Sequence, residues 1–151
     1  MRQAISVEKL ADNGQFNITG WDEEDVHTLP EPFKFKRANV ERLHKGVLCG
    51  IEHMQYVLIY KDAGRSEFQG IGVFEGTISG LKGRFAMIET GSFADGQVNT
   101  RFEVRHLSQS HDLSTVIGTG QYVTGAQEQV SYRYTATCPD PTCADETCHG
   151  A

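Results

Sequence analysis

The sequence predicts an all-β protein, an antiparallel sheet that closes into a single barrel or folds into a sandwich. Short segments alternate between apolar and polar residues, which is the period of a half-buried strand. Turn-forming glycines separate these segments, and no stretch shows a clear helical period. Glycine is abundant, at 16 of 151 residues against a usual share of about 7%. Because small barrels need glycines at bulges and corners, we expect the closed arrangement.

The first half of the chain contains three predicted strands and one undecided segment. Residues 16–21 alternate between apolar and polar, and residues 54–60 form a β-branched and aromatic run. Residues 68–78 read as a strand that carries three glycines, a pattern typical of bulges or of close backbone approach. Residues 40–46 fit either one helical turn or a bulged strand.

The second half contains three further predicted strands, at residues 84–91, 97–107 and 128–136. The segments 79–83 and 92–96, each of which ends in glycine, are predicted to be the turns that precede the first two of them. The second turn ends in Asp95-Gly96, a pair that favours a tight hairpin.

Alternation along these strands indicates which residues face the interior. In 97–107 the odd positions up to Arg105 are all polar, and we expect the even positions to face inward. The same parity applies to 128–136. In 84–91 the odd positions are expected to face inward, which places Glu89 inside the barrel.

One domain is expected, because 151 residues correspond to a single domain of ordinary size. Residues 1–12 form an N-terminal arm, 13–137 the β-barrel domain, and 138–151 an acidic, cysteine-bearing tail. The apolar pattern stops near residue 138, and we expect this tail to be flexible.

Composition and missing motifs exclude several classes of function. Fourteen Lys and Arg against 20 Asp and Glu give a net charge of −6, which argues against a nucleic-acid partner. No apolar run is long enough to span a membrane, and no secretory signal is expected, so a cytoplasmic protein is predicted. Nucleotide-binding, zinc-protease and serine-hydrolase motifs are absent, and we expect no cofactor.

Inward-facing polar residues form the first candidate site. Glu89, His106 and Tyr132 are the predicted catalytic residues, because a buried carboxylate needs a partner and an imidazole beside it makes an acid–base pair. The alternative is a structural hydrogen bond, or a glutamate near the rim that reaches water. The residues expected to line the ligand-binding cavity are Trp21, Phe85, Met87, Phe102, Val104 and Tyr134.

Two other candidates are weaker. Glu75 could pair with Glu89 across a hairpin, but its parity favours the solvent face. Cys49, Glu52 and His53 lie close in sequence and could activate a thiolate. The favoured interpretation of Cys49 is a small buried apolar residue.

The tail carries three cysteines and one histidine, the ligand types of a tetrahedral zinc site. The cysteines lie five residues apart, which is unlike a typical zinc knuckle. A reduced, flexible tail is therefore favoured over metal binding. The residues concerned are Cys138, Cys143, Cys148 and His149.

Several motifs together resemble a bacterial family known only as a domain of unknown function. They lie at residues 16–22, 72–85, 91–96 and 118–125, and the resemblance covers about 15–136. It implies a barrel of the allene-oxide-cyclase type, and it implies an architecture without a reaction. Family members typically carry histidine at the position of Glu89, and a fuller Pro-Gly-Ser-Gly-Thr-Gly at residues 115–120.

The expected function is binding of one hydrophobic small molecule within the barrel. The protein could act on it as a cofactor-independent cyclase or isomerase, by acid–base catalysis and by holding a reactive conformation. The alternatives are a non-catalytic ligand-binding protein and a module that binds metal or another chain through its tail. The sequence leaves open whether the chain is monomeric or forms a homo-oligomer.

Overall fold

The computed structural model describes residues 12–125 and 129–137, and these form eight β-strands. The N-terminal arm up to residue 11 and the cysteine-bearing tail from residue 138 lie outside the described residues. The strands are β1 (Gly14–His27), β2 (Lys34–Gly46), β3 (Leu48–Asp62), β4 (Arg65–Ile78), β5 (Leu81–Ala94), β6 (Gln97–His106), β7 (Val116–Thr124) and β8 (Gln129–Ala136).

The strands form one antiparallel sheet that closes on itself. Each strand pairs with its neighbours in the chain, and β1 also pairs with β8 through residues 14–17 and 129–132. The result is a closed barrel of strand order β1 to β8. The predicted all-β antiparallel fold is confirmed, and the described residues contain no helix.

Three local expectations change in the structure. The undecided residues 40–46 belong to strand β2, and β7 is a strand that the sequence patterns did not predict. The two central hairpin turns are tighter than expected, because only Ser79-Gly80 and Asp95-Gly96 lie between strands. All four of these residues have positive φ, as a two-residue hairpin turn that follows the strand twist requires.

The predicted inward faces are confirmed. In β6 the buried positions are Thr100, Phe102 and Val104, and in β8 they are the even residues 130–134. In β5 the odd residues 85, 87 and 89 are buried. The interior is filled mainly by apolar and aromatic side chains, including Phe16, Met54, Phe74, Phe85, Met87, Phe102 and Val104.

Aromatic rings inside the barrel lie over glycines of the neighbouring strand. Gly70 of β4 is paired with Tyr56 of β3, and a Cβ atom at Gly70 would lie 2.4 Å from the Tyr56 ring. Glycine therefore lets the ring lie flat across β4. A Cβ atom would also meet an aromatic ring at four other glycines: Gly14 (Tyr132), Gly91 (Phe68), Gly118 (Tyr134) and Gly120 (Phe102).

Within the described residues, no helix has the length and apolar character needed to cross a membrane.

Candidate functional site

A cavity of about 290 Å³ lies at one end of the barrel interior. Exposed side chains such as Ile18 and Trp21 lie at its outer part, and the nearly fully buried Arg42, Tyr56 and Tyr122 line its inner part. The remaining wall is mostly apolar and includes Phe16, Leu58, Phe68, Phe93, Val98 and Val130. A mainly apolar cavity with a few convergent polar groups is typical of a small-molecule site.

Arg42 is the centre of the polar network. β2 places it on the same inward face as Ala38 and Val40, and its side chain is 5% exposed. Its guanidinium carbon lies 4.4 Å from the centre of the Phe16 ring, within the range of a cation–π contact. Burial of this charge is costly, and the acidic and phenolic groups around it offset that cost.

Glu89 of β5 accepts three hydrogen bonds. Arg42 Nη1 donates to Oε2 at 2.8 Å, Tyr56 donates to Oε1 at 2.6 Å, and Tyr122 donates to Oε1 at 3.3 Å. Tyr56, Gly70 and Glu89 are opposite one another on three adjacent strands. Because Gly70 has no side chain, the Tyr56 hydroxyl can reach across β4 to the carboxyl group of Glu89.

A second carboxyl group, Glu52, is fully buried and faces the same nitrogen of Arg42. Its Oε1 lies 3.4 Å from Arg42 Nη1 and 2.7 Å from Nε2 of His44. The other ring nitrogen of His44 lies 3.3 Å from the Tyr132 hydroxyl. The network therefore extends beyond the cavity wall, to side chains that do not line the cavity.

The two buried carboxyl groups differ in proton affinity. Burial raises the pKa of Glu89, and the Glu52 carboxylate raises it further. The charge of Arg42 lowers this pKa but does not cancel the effect of burial. Burial alone would raise the pKa of Glu52 as well, but the charge of Arg42 and the hydrogen bond with His44 hold it below its ordinary value. Glu52 is thus the ionised partner of Arg42, and Glu89 is the group that takes up a proton more readily.

Both tyrosines at the inner end remain protonated. Burial raises the pKa of Tyr56 and of Tyr122, and the nearby Glu89 carboxyl adds to both shifts. Arg42 Nη2 donates to the two hydroxyls, at 2.6 Å for Tyr56 and 3.3 Å for Tyr122. Tyr56 is therefore held tightly, and Tyr122 loosely.

Comparison with known families identifies the domain. The family described as a protein of unknown function, DUF3224, matches residues 12–135, which include all eight strands except the last residue of β8. The chain belongs to the DUF3224 family. Comparison with curated proteins finds no match.

In this DUF3224 domain the expected pair of Glu89 and His106 does not form. Phe102 is the β6 residue opposite Glu89, whereas His106 is opposite Phe85. A separation of four residues along a strand is about 13 Å, too far for a hydrogen bond. His106 instead stacks on His111 at 4.0 Å, and burial and His111 lower its pKa.

The other predicted site residues occupy different layers of the barrel. Tyr132 is buried and contacts His44 rather than Glu89, while Trp21 is 50% exposed and lies at the cavity mouth. A register shift between Ile18 and Gly20 in β1 interrupts the alternation before Trp21. The remaining predicted ligand-binding residues lie in the core but do not line the cavity; they are Phe85, Met87, Phe102, Val104 and Tyr134.

Sequence reasoning missed most of the network around Glu89. Arg42 and His44 lie in the segment left undecided between helix and strand, although an even-residue inward face would have revealed both. Leu43 obscured that pattern because it faces outward and is exposed. Nothing in the sequence marked Tyr56 and Tyr122 as functional residues, since an aromatic residue in a strand is most often part of the hydrophobic core.

The weaker candidates do not form the sites considered for them. Cys49 is exposed rather than buried, and the side chains of His53 and Glu52 lie on opposite faces of β3. Glu75 lies on the outer face, where it binds Arg84, as its parity predicted.

No group of three or more metal-ligating side chains occurs within residues 12–125 and 129–137. The predicted alternative zinc ligands Cys138, Cys143, Cys148 and His149 lie outside the described residues.

Proposed function

We propose that this DUF3224 domain binds one small molecule in the cavity, with its apolar part against the wall and an oxygen-bearing end at Arg42, Tyr56 and Tyr122. The observation that carries the proposal is a buried charged network at the inner end of an open, mostly apolar cavity. Apolar side chains of similar volume would fill the same space without burying three ionisable groups around one another. A site for a polar ligand group gives this costly arrangement a function.

The finer fold type is part of the same proposal. We assign the closed eight-stranded sheet to the allene-oxide-cyclase type, an assignment that the glycine-rich strands support. The cytoplasmic location remains a prediction from the sequence, which allows both a monomer and a homo-oligomer.

Filling the cavity with a larger side chain tests ligand binding. Val98→Trp should place an indole in the cavity and displace any bound molecule, because Val98 is half-buried in its wall. Native mass spectrometry of protein purified from its own host should show one small molecule per wild-type chain and none on the variant.

Val123→Trp is the matched control, since Val123 faces outward on the adjacent strand β7. This variant should retain the molecule. The proposal is wrong if wild-type protein carries no small molecule, or if Val98→Trp retains it as well as the control does.

A second candidate function is proton transfer to the bound molecule, as in a cofactor-independent isomerase or cyclase. It is favoured by the opposite pKa shifts of Glu52 and Glu89, a pattern that separates a fixed charge from a proton donor. When Glu89 is protonated it can donate to the Tyr56 oxygen at 2.6 Å. That oxygen already accepts from Arg42, which leaves the Tyr56 hydrogen free to turn to a ligand.

Glu89→Gln distinguishes catalysis from binding alone. Molecule released from the wild type is incubated with fresh protein in deuterium oxide, and conversion and deuterium uptake are followed by mass spectrometry. For a proton donor, we expect conversion to fall by about a hundred-fold or more in the variant. Wild-type conversion should also decline as the pH rises through the raised pKa of Glu89, since the protonated form is the active one. Equal conversion by both proteins, or none by either, would contradict catalysis by Glu89 and support ligand binding only.

A further inference from the structure

The inner end of the cavity has a distinctive charge balance. Of the residues that line the cavity in the described part of the chain, Arg42 alone carries a charge. Its Nη1 atom already faces both Glu89 and Glu52, at 2.8 and 3.4 Å. The positive charge that a ligand would meet is therefore already compensated by buried carboxyl groups that do not line the cavity.

An anionic ligand would gain little at this position. A carboxylate hydrogen-bonded to the Tyr122 hydroxyl would lie within about 6 Å of Glu89, because that hydroxyl is itself 3.3 Å from Oε1. Arg42 lies equally near, but Glu52 alone suffices to balance its charge. The ligand carboxylate would lose its hydration, and no uncompensated positive charge would offset that cost.

A neutral oxygen acceptor meets a more favourable environment. Besides its interaction with Thr100, the Tyr122 hydroxyl makes two hydrogen bonds, with Arg42 and Glu89, and both are long at 3.3 Å, so it can turn toward a ligand with little loss. Arg42 polarises that hydroxyl as a donor. An uncharged acceptor such as a carbonyl adds no charge to a balanced cluster and has a smaller desolvation cost than a carboxylate.

We infer that the cavity selects an uncharged carbonyl compound, with its oxygen at Tyr122 and its apolar part against the outer wall, and rejects the carboxylate of equal size. The inference rests on the proposed binding function and specifies its ligand class. It assigns Glu52 a role in this selectivity, although Glu52 does not line the cavity.

Three two-ring probes of similar size test the inference by isothermal titration calorimetry on the full chain: 2-acetylnaphthalene, 2-naphthoate and 2-ethylnaphthalene. The ketone should bind about ten-fold or more tightly than the carboxylate, and more tightly than the hydrocarbon. Val98→Trp should abolish ketone binding, which places the probe in the cavity.

Glu52→Gln tests the physical cause. It removes an ionised carboxylate from behind Arg42, so the ratio of ketone to carboxylate affinity should fall several-fold. Glu67→Gln removes the same charge from an exposed position on β4 and should leave the ratio unchanged. Circular dichroism confirms that each variant is folded.

The outcomes separate the two proposals. If 2-naphthoate binds as tightly as the ketone, or if Glu52→Gln leaves the ratio unchanged, the selectivity inference is overturned while the binding function stands. If none of the probes binds, or if Val98→Trp binds the ketone like the wild type, the binding function is overturned and the inference falls with it.

Discussion

Replacing Arg42 with methionine should lower the free energy of unfolding by about 3–5 kcal/mol, the largest effect we expect from one substitution in the polar network. Methionine fills much of the volume, so the loss is electrostatic. Glu52 and Glu89 would remain buried without the guanidinium that faces both of them. Urea denaturation followed by circular dichroism measures the change.

The loss should depend on pH with a defined sign. Without Arg42 the pKa values of both carboxyl groups rise in the folded state, so the ionised forms destabilise the fold. The deficit should therefore be largest near neutral pH and shrink as the pH falls toward the ordinary carboxyl pKa of 4.5.

Two comparisons isolate the cause. Arg37→Met removes an exposed arginine of the same strand, whose partner Glu24 is also exposed, and should cost less than about 1 kcal/mol. Adding Glu52→Gln and Glu89→Gln to Arg42→Met should restore most of the lost stability, because no unpaired charge then remains buried. A loss of similar size from Arg37→Met, or no recovery in the triple variant, would contradict this account of Arg42.

Gly70→Ala should destabilise the domain by about 1–3 kcal/mol, although it adds only one methyl group. The new Cβ would lie 2.4 Å from a carbon of the Tyr56 ring, so the ring must move. Its movement would break the 2.6 Å hydrogen bond from Tyr56 to Glu89 and alter the cavity wall. Thermal unfolding gives the stability change, and near-ultraviolet circular dichroism reports the tyrosine environment.

Coupling with Tyr56 separates this collision from a general effect of glycine replacement. In a Tyr56→Leu background, the further change Gly70→Ala should cost markedly less than it does in the wild type. Gly64→Ala is the surface control, since a Cβ there meets no atom nearer than 3.7 Å, and it should change stability by less than about 1 kcal/mol. Purely additive costs for Gly70 and Tyr56 would disprove the proposed collision.

The sequence predicted the fold class because alternation in β6 and β8 is regular. It predicted the inward position of Glu89 from the opposite parity of Arg84 and of Phe85 and Met87 in β5. It did not predict the partners of Glu89. Residues on one strand face can be assigned from parity, but which strands lie opposite, and in what register, depends on closure of the whole sheet. His106 shows the difference, since its inward parity was correct while its distance from Glu89 depended on register.

Arg42 illustrates a second limit. Hydrophobic patterning assumes that charged residues face solvent, and β2 reverses this by burying Arg42 while exposing Leu43. A strand that carries a buried charge therefore lacks a clear apolar alternation. The position with the most functional interest was for that reason also the least predictable from sequence.

The pairing of β1 with β8 has a consequence for how the site comes into being. The seven pairings between successive strands join segments that are close in the chain. The pairing of β1 with β8 instead joins residues 14–17 to residues 129–132. Its loop-closure entropy is therefore the largest in the molecule, and we expect it to form last during folding. The cavity wall takes Phe16 from β1 and Val130 from β8, two residues directly opposite each other at that closure. Binding competence and completion of the fold are thus the same event: a chain with every hairpin formed would still have its binding site open along one side.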